Sequence, residues 1–154
     1  MFPVMRRKDR ALSREEADRI LRAGEYGILS LNGPAGHPHA IPMSYACAGD
    51  VIWLHCATAG TKLDALRADP RATFCVVGAT EVLPDQFSTR YESAICYGNV
   101  AEASGTEAAE GLMALVRRYS PGFEEEGRAY IARAGAGTCV LKLTISHVTG
   151  KARK

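Results

Sequence analysis

Apolar positions along this chain recur at two spacings, about every third or fourth residue and every second residue, and the alternation between them sets the predicted elements. Ala17, Ile20 and Leu21 stand at helical spacing behind Ser13-Arg-Glu-Glu16, a capping box that satisfies free backbone groups at a helix start, and Gly24 ends the pattern. Residues 26–31 read as a strand, Asn32-Gly-Pro-Ala-Gly36 as a turn, and residues 38–46 as a second strand, giving a hairpin. After a turn at Ala48-Gly-Asp50, the nearly continuous apolar run Val51-Ile-Trp-Leu-His-Cys56 suits a strand buried on both faces. Leu63 and Leu66, closed by Asp69-Pro70, predict a short helix, because proline disfavours helix at the residue before it.

Residues 71–77 return to strand, residues 80–86 read as a polar loop, and residues 88–103 form a long strand or one bent at Gly98. Ala109, Leu112, Met113 and Val116 predict a helix over residues 106–119, which Ser120-Pro-Gly122 ends. Residues 124–132 make a further short helix, and residues 138–146 alternate as the last strand. About six strands with short helices in the connections predict an α+β, mainly β, antiparallel barrel.

Composition narrows the class. The 154 residues suit a single domain, 1–154, with an ordinary core, and 47% hydrophobic with 23% charged residues excludes a disordered or fibrous chain. No apolar run approaches the roughly 18 residues that span a bilayer. The basic cluster near the start follows the apolar residues and no secretory signal is evident, so the expected location is cytoplasmic, with no membrane partner. The net charge of +2 comes largely from residues 6–10 and 151–154, which read as short solvated tails. Signs alternate between them, which argues against a nucleic-acid interface. The five cysteines form no Cys-x-x-Cys pair and read as small buried hydrophobes in a reducing compartment.

Candidate chemistry concentrates in His55-Cys-Ala-Thr-Ala-Gly-Thr-Lys62, where a buried strand gives way to a helix. The first N–H groups of a helix have no partner within it, Gly60 keeps side-chain bulk away, and Thr58 and Thr61 add hydroxyls. Lys62 opposes the helix dipole unless an anion sits there or the ammonium turns to solvent. The same residues also suit a plain N-cap at Thr58 followed by a turn glycine and a solvated lysine. Neither a P-loop nor Gly-x-Gly-x-x-Gly is present, which argues against a nucleoside triphosphate or a dinucleotide on a doubly wound sheet. Pro42 within an extended run points to a sheet edge or a bulge, where backbone groups become free for a planar ligand. His37 and His39 share one strand face, but no third ligand is spaced to complete a metal site, and none is expected. Tyr45 and Trp53 read as core or interface aromatics.

These two strands, the His-Cys-Ala-x-x-Gly-x-Lys turn, Phe87-Ser-Thr-Arg-Tyr91 and Thr149-Gly-Lys151 together resemble the pyridoxamine 5'-phosphate oxidase-related flavoproteins, the nitroimidazole-resistance branch especially. The resemblance implies a split β-barrel homodimer with FMN in a groove at the subunit interface. It also implies flavin-dependent oxidoreductase chemistry between a small-molecule electron donor and an acceptor. By position it places Gly60, Thr61 and Lys62 at the FMN phosphate, and His55 and Cys56 near the phosphate and ribityl chain. Ile41, Pro42 and Met43 would follow the edge of the flavin ring, with Tyr45 nearby and Ser93 as a further polar contact. Thr61 stands where the family often has arginine, a charge that protonated His55 would replace.

His55 is also the candidate proton donor, its other role being to bind phosphate or fill the strand end. True pyridoxamine phosphate oxidases share a C-terminal tryptophan and an arginine-histidine motif, whereas here the only tryptophan is Trp53, so vitamer oxidation is not expected. Two alternatives stay open: a non-enzymatic flavin-binding or sensing dimer, and the same barrel holding a deazaflavin or haem.

Overall fold

The computed structural model describes Phe2 and residues 4–154. Among them eight strands form one antiparallel sheet: β1 (Ala11–Leu12), β2 (Gly27–Asn32), β3 (Pro38–Met43), β4 (Ala46–Ala48), β5 (Val51–Ala57), β6 (Arg71–Leu83), β7 (Ser88–Ala103) and β8 (Thr138–Arg153). Their order is β3-β2-β6-β7-β8-β5-β4, with β1 attached to β8. Helices α1 (Arg14–Ala23), α2 (Thr61–Ala68), α3 (Gly105–Tyr119) and α4 (Glu124–Ala134) occupy the connections. No helix among the described residues is long and apolar enough to cross a membrane.

β3 and β4 are the opposite ends of the sheet, yet only Ser44 and Tyr45 separate them along the chain. Three Cα steps reach at most about 11 Å, so the sheet has to curl until its edges nearly meet. The result is a split β-barrel, the α+β, mainly β class that the pattern predicts. β4 pairs with β5 only through Ala46↔Trp53, Cys47↔Ile52 and Ala48↔Val51. Among the described residues, the outer edge of β3 and the facing edge of residues 54–57 therefore carry no strand partner.

Alternation along the strands fills the barrel. Leu29, Ile52, Leu54, Phe74, Val76, Leu141 and Leu143 point inward and are wholly buried. Truncating a ring such as that of Phe74 to alanine would cost about 3–5 kcal/mol. Trp53 points outward from β5 and packs with Val140 and Leu115 under α3, so β5 is covered on both faces as its apolar run predicts. The capping box forms at α1, where Ser13 Oγ accepts from the Glu16 N–H at 3.2 Å and Glu16 Oε2 accepts from the Ser13 N–H at 3.0 Å. That helix buries Ala17, Ile20 and Leu21 against the barrel.

Four expectations need correction. The strands number eight among the described residues, because residues 38–46 break at Ser44 and Tyr45 and the two-residue β1 is too short to show periodicity. Residues 80–86 are not all loop: β6 runs on to Leu83 and pairs with β7 through Thr80↔Tyr91, Glu81↔Arg90, Val82↔Thr89 and Leu83↔Ser88. This part of the hairpin extends past the core, so nothing requires one of its faces to be apolar. β8 continues past Ser146 to Arg153, pairing with β7 and β1, so the C-terminal basic residues are not a solvated tail. The N-terminal basic segment likewise includes a 3-10 turn, Lys8–Arg10, leading into β1. The bend at Gly98 is present as a register shift between Tyr97 and Gly98, where a Cβ would collide with the Thr144 carbonyl oxygen.

Candidate functional site

Where the barrel stays open, a groove of about 460 Å³ runs between the two free edges. His39, Ala40, Ile41 and Pro42 of β3 form one wall. Cys56 and Ala57 at the end of β5, with the turn through Ala59, Gly60, Thr61 and Lys62, form the other. Such a volume lies within the roughly 300–1,000 Å³ of small-molecule sites. The edge position predicted for Pro42 is the one observed: β3 is the last strand, its register with β2 is unbroken, and the missing proline N–H costs the ladder nothing.

The turn into α2 has free donors. Gly60 is its N-cap, at φ 134° and ψ 167°, a conformation that essentially only glycine adopts. Space around it is open, since a Cβ built there would meet nothing within 4 Å. Its carbonyl accepts from the N–H groups of Leu63 and Asp64 at 2.9 and 3.2 Å. The N–H groups of Thr61 and Lys62, the first two of the helix, have no partner among the described residues.

Among the described residues Lys62 is the one lysine or arginine that lines the groove. Its Nζ lies 3.7 Å from Met43 Sδ, a weak neutral acceptor at the end of β3. The acid of the same helical turn, Asp64, faces Arg67 at 4.0 Å instead. Unneutralised ammonium, free N–H groups and the positive end of a helix thus converge on one point, which suits a phosphate or carboxylate.

Strand geometry separates the other predicted residues. Cys56 shares the inward face of β5 with Ile52 and Leu54 and lines the groove, whereas His55 alternates to the outward face with Trp53 and is exposed. His55 is therefore next to the turn in sequence and outside the groove of its own chain. Tyr45 lies beneath the groove as a core residue. Its hydroxyl donates to Leu21 O at 2.5 Å, its N–H donates to Tyr119 Oη at 2.8 Å, and its ring meets Phe74 edge-on at 4.8 Å. Burial pushes its phenol above the usual tyrosine range. Ser93 is half-buried in β7 between Val77 and Lys151, away from the groove.

His39, Ala40, Ala57 and Ala59 line the groove without being singled out for it by sequence. The i, i+2 relation of His39 to Ile41 is the signal that could have placed His39 there. Among the described residues no group of three His, Cys, Asp or Glu side chains could hold a metal. A larger hollow of about 660 Å³ is lined by Ser30, Thr73, Tyr97 and Asn99, but its guanidinium, Arg71, is already paired with Asp69 at 2.6 Å.

The sequence pattern of the family described as pyridoxamine 5'-phosphate oxidase matches residues 13–152. Among curated proteins no sequence match is found. Solved structures share the fold. One, from Mycobacterium smegmatis, is described as an FAD and heme binding protein; it is 28% identical, with 92% of this chain and 72% of that chain covered and a TM-score of 0.81. A flavocytochrome from Azotobacter vinelandii is 24% identical over 98% of this chain and 72% of that one, with a TM-score of 0.82. A candidate 5-nitroimidazole antibiotic resistance protein from Bacteroides thetaiotaomicron is 19% identical over 92% of this chain and 86% of that one, with a TM-score of 0.76.

Proposed function

This chain belongs to the pyridoxamine 5'-phosphate oxidase family, and from that premise we propose that it binds FMN in the groove between β3 and α2 and acts as a flavin-dependent oxidoreductase. One observation carries the reading: Lys62 and the free N–H groups of Thr61 and Lys62 converge at one end of a groove whose other wall is an unpaired strand edge. The descriptions of the Mycobacterium smegmatis and Azotobacter vinelandii proteins support a redox cofactor on this fold.

The residues divide the work. Lys62 and the N–H groups at the start of α2 hold the phosphate, and the Thr61 hydroxyl donates to it. Gly60 keeps the approach open. The backbone N–H and carbonyl of Ala40 and the carbonyl of Pro42 face away from β2 and meet the hydrogen-bonding edge of the ring, while Ile41 and Met43, whose backbone groups pair with β2, flank it. When bound, the flavin supplies the electron transfer, and the protein supplies its position and electrostatics. His55 holds no contact in the groove of its own chain, so no proton transfer is assigned to it there.

The functional unit is proposed to be a homodimer that covers the groove. Its apolar arm is the β6–β7 hairpin, where Val82 and Phe87 are 71% and 97% exposed in the single chain. Phe87 also has a left-handed backbone, φ 48°, that a non-glycine residue seldom adopts. Light scattering on the eluting protein is expected to give twice the chain mass.

Denaturing the purified protein and weighing the released chromophore tests the cofactor. FMN is the expected product; release of FAD or haem in its place, or no chromophore together with no binding of added FMN, would overturn the assignment.

A further inference from the structure

Cys56 and Cys139 face each other directly in the antiparallel ladder of β5 and β8. Opposed residues in such a ladder have Cα atoms about 4.5–5.5 Å apart, inside the 4.4–6.8 Å that a disulfide spans. Both side chains lie on the barrel side of their strands, with Leu54 opposite Leu141 and Ile52 opposite Leu143 as their neighbours. Cys56 is half-buried and lines the groove, whereas Cys139 is buried behind it.

We propose that Cys56 and Cys139 form a reversible thiol–disulfide site in the wall of the groove, oxidised by low-molecular-weight disulfides. Cys56, open to the groove, attacks the reagent as thiolate and forms a mixed disulfide, releasing one thiol. Cys139 then loses its proton and attacks the Cys56 sulfur, which closes the bridge and releases the second thiol. The balance is two protein thiols and one small disulfide giving one protein disulfide and two small thiols.

The surroundings assign this order. The Cys139 S–H donates to Glu102 Oε2 at 3.6 Å, and Glu102 is itself held by Arg67 of α2 at 2.6 Å. Burial first, then Cys56 and the Glu102 carboxylate, hold the Cys139 thiol up to about 11, so it stays protonated until the mixed disulfide is in place. Cys47, Cys75 and Cys96 have no cysteine opposite them in the sheet and remain free.

The test uses the full chain exposed to glutathione disulfide, then alkylated, digested and mapped by mass spectrometry. The expected product is one linked pair of peptides, Cys56 with Cys139, with three of the five thiols still alkylated and the link lost on adding dithiothreitol. In Cys139→Ser, glutathione is expected to remain trapped on Cys56. The proposal is overturned if all five thiols stay free, if another pair links, or if wild-type Cys56 carries glutathione without closing. Repeating the reaction with saturating FMN separates this inference from the flavin reading on which only that arm rests. Slower closure supports a flavin beside Cys56, and unchanged closure leaves the cysteine site standing while counting against the flavin placement.

Discussion

Lys62 on the first turn of α2 reaches across the split of the barrel to Met43, the last residue of β3, with Nζ 3.7 Å from Sδ. A thioether cannot neutralise an ammonium, so this charge opposes the helix dipole in the flavin-free protein. Lys62→Met keeps the length of the side chain and removes the charge. Flavin-free Lys62→Met is expected to match or exceed wild type in urea unfolding, by up to roughly 1 kcal/mol, while its FMN affinity falls. A clear loss of stability would mean that Lys62 serves the fold, not a ligand.

Gly60→Ala separates backbone strain from steric fit. With nothing near the added Cβ, its cost comes from the conformation alone, about 1–3 kcal/mol in unfolding free energy. Relaxing the turn would redirect the free N–H groups of Thr61 and Lys62, so FMN affinity is expected to fall in parallel. Equilibrium unfolding and fluorescence titration on the same preparation check both effects.

Tyr45→Phe tests the core assignment of a residue that the family resemblance places near the ring. The substitution leaves the Leu21 carbonyl with only the weak Cys47 thiol donor at 3.8 Å and is expected to cost about 1–3 kcal/mol in stability. FMN affinity is expected to stay within about twofold of wild type, a change below roughly 0.5 kcal/mol. A large affinity loss at unchanged stability would return Tyr45 to the binding site.

Asp69 couples pH to the junction that leads from α2 into β6. Its carboxylate accepts from the Arg71 side chain at 2.6 Å, from the Arg71 N–H at 3.1 Å and from Asn32 Nδ2 at 2.7 Å, and these bonds, Arg71 foremost, hold it well below the usual carboxylate range. A depressed carboxylate stabilises the fold above its unfolded value, near pH 4, and that contribution disappears as pH falls toward its folded value. The difference in melting temperature between wild type and Asp69→Asn is therefore expected to be largest above about pH 5 and to shrink toward pH 2. Arg71 is largely exposed and Asp69 only partly covered, so the effect is small and weakens with salt. A difference independent of pH would contradict the ionic origin.

Much of this architecture was legible because burial imposes a period. The capping box set the start of α1, the apolar run of β5 implied cover on both faces, and Pro42 marked an edge that is indeed the end of the sheet. Elements without a buried face left no such trace. The outer part of the β6–β7 hairpin carries Glu81 and Arg90 across from each other and reads as loop, and the last residues of β8 read as a basic tail although their backbone completes the sheet. At the candidate site, the Gly60, Thr61 and Lys62 spacing implied free donors that are present. Nearness in sequence does not place His55 in the groove of its own chain: one residue from Cys56, it lies on the other side of β5, as alternation with the inward Leu54 requires.

Comparing FMN with riboflavin in wild type and in Lys62→Ala isolates the phosphate contact, because the two ligands differ only in the phosphate. Wild type is expected to bind FMN more tightly than riboflavin by on the order of tenfold or more. In Lys62→Ala that preference should fall by about 1–3 kcal/mol while riboflavin affinity changes little. A preference for FMN that survives Lys62→Ala undiminished, or wild type that does not distinguish the two, would contradict it.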